Sequence, residues 1–521
     1  MEARVDGAAW RPLRKLGGTT WEGIFSVPTE SLVQFRALGT REGSSVSGLF
    51  RWPDAAPVDP HNVSVVIRAD RGPSGGAPVQ IDQRMYSLSI ADWESQDYDP
   101  APAPAYVQLL RALRPGVLRW PAGHNSQEYL WERLPEGTAS HVLTASHVDA
   151  FLSLCRSVEA EPMLAINLKT STAAAAADLV RYINVDKSFG MTWVLLGNEP
   201  DLGDALIPTP EAYVARAREF IQAIRAVDPD IRFVGPELMS GATVLGIHEQ
   251  PDWLTPILQG VGPDLAGVSW HLYPLDSNNT QLESVAFPRV DNLLQERAVD
   301  WRPSALSFID EVFPAMASVM GQHAPAAKVW VTEWSEDSGE LNGAGIADRV
   351  GGALWAADAL GRMAAHGPGG AVKWLYKSGS THAYALVDEN DFPRPEFTTH
   401  WLYARHFGTR VVQALSDKRA IVNAHAALRE DGALAIVLVN KRSEPQWVNL
   451  ELEGFTPGAA RRFLATGEGY ETATLSLNGT RLEPGNADGP GMLQPEWFAV
   501  EALQRFELPP FSILMLLLEP V

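Results

Sequence analysis

The sequence is poor in cysteine, because Cys155 is the single one among 521 residues. One thiol cannot form an intramolecular disulfide, which excludes the small domains that disulfide bonds hold together. Cys155 lies in the run HVDAFLSLCRSV, whose apolar spacing is typical of the buried face of a helix. We therefore expect a buried structural thiol rather than a reactive one.

Basic residues are scarce relative to acidic ones, since 42 Lys and Arg stand against 63 Asp and Glu and give a net charge of -21. This excess of negative charge disfavours nucleic acid, anionic membranes and long polyanions as partners. Long apolar runs are also missing: no window holds about 18 consecutive apolar residues, and the N-terminus has no apolar core of signal-peptide length. The sequence predicts a soluble protein with no nucleic-acid or membrane partner, cytoplasmic as written, or secreted if a leader peptide has been removed.

The sequence also lacks a recognisable metal motif. His248 and Glu249 are adjacent, but the second histidine of a zinc-binding helix is missing. The run VDENDF lacks the loop glycine and the terminal glutamate of a calcium loop. We therefore predict neither a metal nor a cofactor.

Between residues 80 and 400, short β-branched or aromatic runs alternate with longer helical patterns, which is typical of βα units around a parallel sheet. Eight near-continuous apolar strands, each buried on both faces, favour a closed barrel over an open sheet. The eight runs are MYSLSI, GVLRWP, PMLAINL, TWVLLG, IRFVGP, LAGVSWH, KVWVTE and AVKWLYK.

The pattern changes after about residue 400, where alternating strands, an Asn-Gly turn signal and a closing apolar run indicate an all-β sandwich. The first 80 residues are strand-like but too short for a separate core. The predicted fold is therefore α/β, a (β/α)8 TIM barrel over residues 81–400 with a β-sandwich domain over 401–521. The N-terminal β segment, residues 1–80, is expected to pack on that sandwich.

Two of the predicted strands end on a glutamate. Glu199 follows TWVLLG within Gly-Asn-Glu-Pro, and Glu333 ends KVWVTE. In a parallel βα barrel the carboxyl ends of the strands meet at one mouth, which is where catalytic side chains project. A lone glutamate in such a place is usually a rim charge or a helix N-terminal residue, but two on one barrel indicate a catalytic pair.

A pair of carboxylic acids has a specific use in a retaining glycosidase. One acid protonates the leaving oxygen while the other carboxylate attacks the anomeric carbon, at a separation of about 5 to 5.5 Å. The ionised nucleophile should raise the pKa of its neighbour by like-charge repulsion, so that the neighbour can act as the acid.

The sequence is similar to retaining glycosidases on (β/α)8 barrels, and within them it most resembles the heparanase and β-glucuronidase family. The stretches that carry the resemblance are NLKTSTAAAAADLVRYINVDKSFGMTWVLLGNEPDL, GVSWHLYPL, KVWVTEWSEDSG, HAYALVDENDFPRPEFTTHWLYARHFGTRVV and, near the end, LSLNGTRLE and PPFSILMLLL. They extend from about residue 63 to the end. The resemblance implies a cofactor-independent retaining hydrolase of β-glycosides, with a β-glucuronidase as the leading interpretation.

The resemblance also implies roles for individual residues. Glu199 would be the acid/base and Glu333 the nucleophile, and Asn198 would bind the hydroxyl next to the anomeric carbon. The remaining positions would line the sugar subsite: His271 and Tyr273, with Tyr384 and an amide such as that of Gly339 holding a uronate. Asp92, Arg119 and Trp374 lie at strand ends, where sugar contacts or structural roles are both open.

Three positions depart from the family pattern: Pro121 and Ala122 replace two glycines, and His382 replaces a glycine before the predicted carboxylate-binding tyrosine. Two alternatives therefore stay open. One is a β-glucosidase, β-xylosidase or endoglucanase acting on neutral sugars, and the other is a non-catalytic carbohydrate-binding protein. The partner in each case is a carbohydrate or glycoconjugate, and the sequence leaves the oligomeric state open.

Overall fold

A computed structural model describes most of the chain from residue 61 onward. The described ranges are 61–91, 94–137, 141–203, 205–241, 244, 251–274, 306–336, 348–379, 384–481 and 493–521. In the first 60 residues it gives backbone strands at Glu2–Val5, Arg11–Pro12, Arg14–Gly17, Thr20–Glu22, Leu32–Arg36 and Phe50–Arg51.

Eight parallel strands close into a barrel, which confirms the predicted fold class. They are β1 (Ser87–Ser89), β2 (Val117–Trp120), β3 (Glu161–Ile166), β4 (Trp193–Leu196), β5 (Arg232–Leu238), β6 (Leu265–Leu272), β7 (Lys328–Trp334) and β8 (Gly370–Lys373). Closure comes from β1, which pairs with both β2 and β8. All eight predicted runs contain a strand, although β1 to β4 and β8 are shorter than predicted.

Helices cover the outside of the barrel. Three of them begin after a threonine whose side-chain oxygen accepts from a backbone N–H in the first turn, which satisfies a donor that the helix leaves unpaired: Thr144, Thr172 and Thr209. Cys155 is fully buried in the second helix, as predicted. The described α-helices of eight or more residues are Pro104–Ala112, Ala145–Val158, Ala173–Arg181, Pro210–Arg225, Leu254–Val261, Ser307–His323, Val350–Ala365 and Pro395–Leu402.

Shorter helical segments connect these elements. One α-helical turn is Ser95–Tyr98. The 3-10 turns are Gln83–Tyr86, His124–Gln127, Pro200–Leu202, Gly262–Asp264 and Val500–Gln504, and π turns follow two helices at Tyr182–Asp186 and Tyr403–Phe407. Among the helices within these described ranges, none is long and apolar enough to cross a bilayer.

Large apolar side chains fill the lower part of the barrel. Trp193 and Trp330 lie with ring centroids 5.0 Å apart, within a buried cluster that includes Val117 and Val234. Trp330 fits because its ring lies over Gly370, where an added Cβ would come within 2.4 Å of it. The barrel is therefore a packed core below a polar mouth.

The C-terminal region forms a second, β-rich domain around one hydrogen-bonded sheet. Strands far apart in the sheet order bury side chains in one apolar cluster, as Ile67, Val448 and Leu516 show, so the sheet folds over itself as in a sandwich. Its strands are Arg410–Ser416, Val422–Leu428, Leu434–Asn440, Gln446–Glu453, Pro457–Gly467, Leu475–Leu477, Thr480–Arg481, Glu496–Phe498, Phe506–Leu508 and Ser512–Pro520. The predicted Asn-Gly turn joins two of them, with positive φ at Asn478 and Gly479.

Part of the N-terminal segment belongs to this sheet. Asn62–Arg68 pairs with Gln446–Glu453 on one side and Arg410–Ser416 on the other, and Val79–Gln80 adds a short edge pairing. The strands before residue 52 pair with one another. The domain boundaries at residues 80 and 400 stay a prediction.

The barrel and the sheet domain share a buried ionic cluster. Asp358, in the helix Val350–Ala365, accepts from Arg362 at 2.9 Å and from Lys441 at 2.8 Å, and contacts His425 at 3.0 Å. Lys441 and His425 come from the sheet domain, so their contacts with Asp358 connect that domain to the barrel. Burial raises the pKa of Asp358, but attraction to Arg362 and Lys441 and the hydrogen bond with His425 outweigh it and lower that pKa well below its usual value.

Candidate active site

Glu199 and Glu333 meet at the carboxyl ends of β4 and β7. A carboxylate oxygen of each, together with a ring nitrogen of His271, lies within 4.8 Å of the others. This separation matches the short spacing of a retaining pair and leaves too little room for the water that an inverting mechanism needs between its carboxyl groups.

A register shift aims Glu333 into the mouth of the barrel. In β7, Trp330 faces the interior while Val331 packs outside, so strict alternation would turn Glu333 outward. The pairing of β7 with β6 slips by one residue between Val331 and Glu333, and Trp334 packs outside again. Such a bulge re-aims a side chain, and here the side chain is that of Glu333.

Arg119 is the cation at the centre of the site and is fully buried. Its Nη1 donates to Glu333 Oε1 at 2.8 Å, and its Nη2 donates to Asn198 Oδ1 at 2.8 Å and to Glu237 Oε2 at 3.0 Å. A guanidinium presents several donors in a fixed plane, so these contacts hold the three side chains in one arrangement. Arg119 therefore orients the predicted nucleophile.

The contact with Arg119 also fixes the orientation of the Asn198 amide. Arginine can only donate, so the atom facing it is the amide oxygen. The amide nitrogen of Asn198 is buried, and within the described ranges it has no hydrogen-bond partner. This amide N–H can therefore donate to a bound molecule. Asn198 directly precedes Glu199 and shares Arg119 with Glu333.

His271 lies between three carboxylates. Its Nδ1 is 2.7 Å from Glu199 Oε1 and 3.5 Å from Glu333 Oε2, and its Nε2 is 3.4 Å from Glu237 Oε2. Burial disfavours the charged ring, but attraction to Glu333 and hydrogen bonds with Glu199 and Glu237 outweigh it and raise the pKa of His271 to about 10. The ring is therefore an imidazolium that donates to Glu199 at neutral pH.

The pKa of Glu199 differs from the sequence-based expectation. Burial raises it, but the hydrogen bond from charged His271 and the attraction to that ring, His124 and Arg119 lower it below the usual value. The predicted increase caused by Glu333 is therefore wrong for this structure. The proton available to the pair lies on His271, 2.7 Å from Glu199.

An aromatic wall covers the side of the site next to Glu333. The hydroxyl of Tyr273 donates to Glu333 Oε2 at 2.6 Å, and its ring packs against a buried cluster containing Trp374 and Tyr384. Trp374 follows β8 rather than ending it, since that strand stops at Lys373. Its ring lies so close to Gly123, which has φ of +66°, that an added Cβ would come within 2.6 Å of it.

A cavity of about 240 Å³ opens on the other side of Glu199. Buried apolar side chains, among them Leu168 and Ile207, form part of its wall, and Lys169 and His124 contribute polar groups. His124 Nε2 is 3.3 Å from Glu199 Oε2, whereas Oε1 of the same carboxyl contacts His271. One oxygen of Glu199 thus faces His271, and the other faces His124, which lines the cavity.

Sequence reasoning missed Glu237, which is fully buried within the site. Attraction to Arg119 and His271 outweighs burial and lowers its pKa to about 2. A signal was present in the run FVGPEL, because Glu237 follows apolar residues and Gly-Pro, much as Glu199 follows apolar residues and Gly-Asn. His124 was missed as well, in the stretch that follows β2.

The structure brings together most of the predicted site residues. Glu199, Glu333, Asn198, Arg119, His271 and Tyr273 form one network, and Trp374 and Tyr384 adjoin it. Asp92, Gly339 and His382 lie outside the described residues. The roles assigned to all of these residues stay predictions.

Glu199, His271 and Glu333 are close enough to hold a metal ion as a group. A ring with a pKa of about 10 is protonated at neutral pH, so neither nitrogen of His271 has a free lone pair for a metal. Glu333 already faces Arg119 at 2.8 Å. In this protonation state the arrangement is that of an ion-pair network.

Comparisons with known proteins give distant relatives among glycosidases. No family model matches the chain. An intracellular exo-alpha-(1->5)-L-arabinofuranosidase from Acetivibrio thermocellus is 23% identical over 247 residues, which are 40% of this chain and 48% of that protein. The chain spans less than half the length of each of the four curated relatives it matches.

Solved structures share the fold at lower identity. The GH51 arabinofuranosidase from Xanthomonas axonopodis pv. citri is similar over 88% of this chain and 100% of that chain, with a TM-score of 0.66 and 15% identity. CelM2, a bifunctional glucanase-xylanase from a metagenome library, covers 88% and 99% with a TM-score of 0.62 and 16% identity. The similarity supports the barrel and its accompanying β domain.

Proposed function

We propose that the chain is a retaining glycoside hydrolase in which Glu333 is the nucleophile and Glu199 the acid/base. The observation that carries the proposal is the approach of their carboxylate oxygens to within 4.8 Å at the mouth of a parallel barrel. Burial of two carboxylates at this distance is costly, and such arrangements of titratable groups are concentrated at functional sites.

The surrounding groups suit the first step of a double displacement. Arg119 and Tyr273 hold one oxygen each of Glu333, which directs the carboxylate for attack on the anomeric carbon. His271 carries the proton needed for the leaving oxygen, 2.7 Å from Glu199. Glu199 takes this proton from His271 as it delivers one to the leaving oxygen. The unpaired amide N–H of Asn198 can donate to the hydroxyl next to the anomeric carbon.

In the second step Glu199 takes a proton from water, and the resulting hydroxide displaces Glu333 from the anomeric carbon. The cavity of about 240 Å³ lies on the Glu199 side, where the leaving group departs and where this water can enter. Every proton passed to the leaving group is thereby replaced from water, and transfer of that proton from Glu199 back to His271 restores the starting state.

A neutral sugar is the substrate class that we propose. The site already holds three carboxylates against the two buried cations Arg119 and His271. A uronate would add a fourth negative charge. Burying that carboxylate would require a further cation, in addition to the two that already pair with the three carboxylates. Of the two positions predicted to hold a uronate, Tyr384 adjoins the site, whereas Gly339 lies outside the described residues.

An α-L-arabinofuranoside is the first neutral substrate that we propose, because the relatives similar in sequence are named arabinofuranosidases. β-Glucuronidase, which was the leading interpretation of the sequence, becomes the alternative. α-L-Arabinofuranosides, β-D-xylosides and β-D-glucuronides are all 1,2-trans glycosides, so one pair of carboxylates in this geometry can serve each of them.

The test compares release of nitrophenol from these three aryl glycosides, and from the β-glucoside, at pH 5 to 7. Preferred cleavage of the arabinofuranoside supports the proposal, and preferred cleavage of the glucuronide restores the alternative. Absence of cleavage from every member, by folded protein, would favour the non-catalytic carbohydrate-binding interpretation.

A matched pair of variants tests the nucleophile. Glu333→Gln should abolish turnover, whereas Glu336→Gln, at a buried glutamate three residues further on that contacts Ser335 and Lys373, should not. Azide added to Glu333→Ala should restore turnover and give the glycosyl azide of opposite anomeric configuration. Full activity in Glu333→Gln would remove it from the mechanism.

A further inference from the structure

We propose that Glu237 is a positioning residue for the reaction, bridging Arg119 and His271 so that one stays directed at the nucleophile and the other stays charged as the donor to the acid/base. The inference rests on the proposed function of Glu199 and Glu333. Neither the resemblance of the sequence nor the comparisons assign a role to this third glutamate.

The first observation is where the carboxylate lies. Glu237 Oε2 is 3.0 Å from Arg119 Nη2 and 3.4 Å from His271 Nε2, and the whole residue is inaccessible to solvent. Its two partners each contact one of the catalytic glutamates directly, Arg119 with Glu333 and His271 with Glu199. The bridge therefore links both halves of the catalytic pair without facing solvent.

The second observation is the backbone that places it there. Glu237 has φ of +63°, a left-handed conformation that costs free energy for a residue with a side chain. The pairing of β5 with β6 slips between Gly235 and Leu238. Because Val234 faces the interior, regular alternation would turn position 237 outward, and the irregularity turns it into the site.

Backbone hydrogen bonds fix this conformation from both sides. The N–H of Glu237 donates to Ser269 Oγ at 2.9 Å, and its carbonyl accepts from the N–H of Glu199 at 2.9 Å. Glu199 is itself left-handed, with φ of +45°. The acid/base and the third glutamate are therefore held as a coupled pair of strained residues on neighbouring strands.

The charges around Glu237 decide its effect on proton transfer. The titratable or charged groups facing it are Arg119 from β2, Tyr213 from the helix Pro210–Arg225 and His271 from β6, with Glu199 and Glu333 one contact further away. An anion fixed beside His271 favours its protonated form. Because Arg119 cannot lose its proton in this range, the group whose titration responds to Glu237 is the His271–Glu199 pair.

The experiment replaces the charge and keeps the shape with Glu237→Gln. Loss of the anion should shift the alkaline limb of the kcat/KM profile to lower pH by about one unit or more, because the His271–Glu199 pair then releases its proton more easily. The ring nitrogen signals of His271, followed by NMR in histidine-labelled protein and assigned with His271→Gln, should titrate at correspondingly lower pH. A residue that only supports folding would move neither midpoint.

Glu336→Gln is the matched control, because it changes another buried glutamate in the same way. The described contacts of Glu336 are with Ser335, Lys373 and Glu396. This variant should keep the alkaline limb and the His271 titration of the wild type. If Glu237→Gln does not fold, Ser269→Ala tests the same bridge by removing the hydrogen bond to the N–H of Glu237, and should shift both midpoints in the same direction by less.

The outcomes separate the two proposals. Unchanged midpoints and a kcat/KM within twofold of the wild type in folded Glu237→Gln overturn the positioning role. A wild-type protein that cleaves no glycoside, but in which the His271 titration still moves in Glu237→Gln, overturns the proposed function while the bridge to His271 stands.

Discussion

Tyr273 and Arg119 each hold a different oxygen of the same carboxylate, that of Glu333. The phenol donates to Oε2 at 2.6 Å and the guanidinium to Oε1 at 2.8 Å. Each oxygen of the carboxylate therefore has its own donor, which restricts rotation of the group relative to Glu199. If Glu333 is the nucleophile, as proposed, it needs little reorganisation before attack.

Tyr273→Phe should lower kcat/KM by about 10- to 100-fold, because a hydrogen bond to a charged group contributes about 1.5–3 kcal/mol. The ring and its packing on the cluster with Trp374 remain, so thermal unfolding should change little. Steady-state kinetics on the best aryl glycoside provide the measurement, and Tyr470→Phe in the sheet domain is the control. Equal kinetics in the two variants would mean that the phenol does not act on the nucleophile.

Glu199→Ala should affect substrates according to their leaving groups. Activated aryl glycosides need little protonation, whereas alkyl glycosides should lose about 10²- to 10⁴-fold in rate when the general acid is removed. The measurement is a plot of log kcat/KM against the pKa of the leaving group, which should become steeper in the variant. Parallel lines for the variant and the wild type would argue against the acid role.

Gly123→Ala should raise KM through Trp374. An added Cβ would come within 2.6 Å of the indole, and φ of +66° is unfavourable for alanine, so the ring must move from its place beside the site. Gly75→Ala is a matched control, because φ of +84° imposes similar strain with nothing within 4 Å of the added Cβ. Both should lose about 1–3 kcal/mol of unfolding free energy, and only the first should change KM.

The stability of the protein should depend on pH through His271. Its pKa is raised from an ordinary value near 6.5 to about 10, so its charged form contributes stability that is fully present below pH 6.5 and is lost as pH rises toward 10. Urea unfolding at pH 6, 7.5 and 9 should show the free-energy difference between wild type and His271→Gln shrinking with pH. A constant difference would show that folding does not raise the pKa of this ring.

Glu237 gives the opposite dependence at acidic pH. Its pKa is lowered from 4.5 to about 2, so its contribution is present above about pH 4.5 and is lost as pH falls toward 2. Comparison of Glu237→Gln with the wild type at pH 3, 4 and 5 should show a difference that grows with pH. The Glu336→Gln control should lack this rise, because burial and the charge of Glu396 raise the pKa of Glu336 to about 7.

The sequence by itself determined the fold class and the two glutamates. Eight apolar runs buried on both faces require helices over them, which predicts the barrel. A carboxylate at the end of such a run reaches the mouth of the barrel, so local pattern was sufficient to place Glu199 and Glu333 there. The Asn-Gly turn was equally local, because positive φ at both positions follows from residue type.

Only the tertiary structure decided which groups share the site and which of them carry the proton. Arg119 and Glu333 are 214 residues apart in sequence, and the slips in β5 and β7 that turn Glu237 and Glu333 inward break the alternation that a sequence displays. The proton moves to His271 because three carboxylates surround one ring. Charge interactions depend on distances through space, which local sequence does not contain.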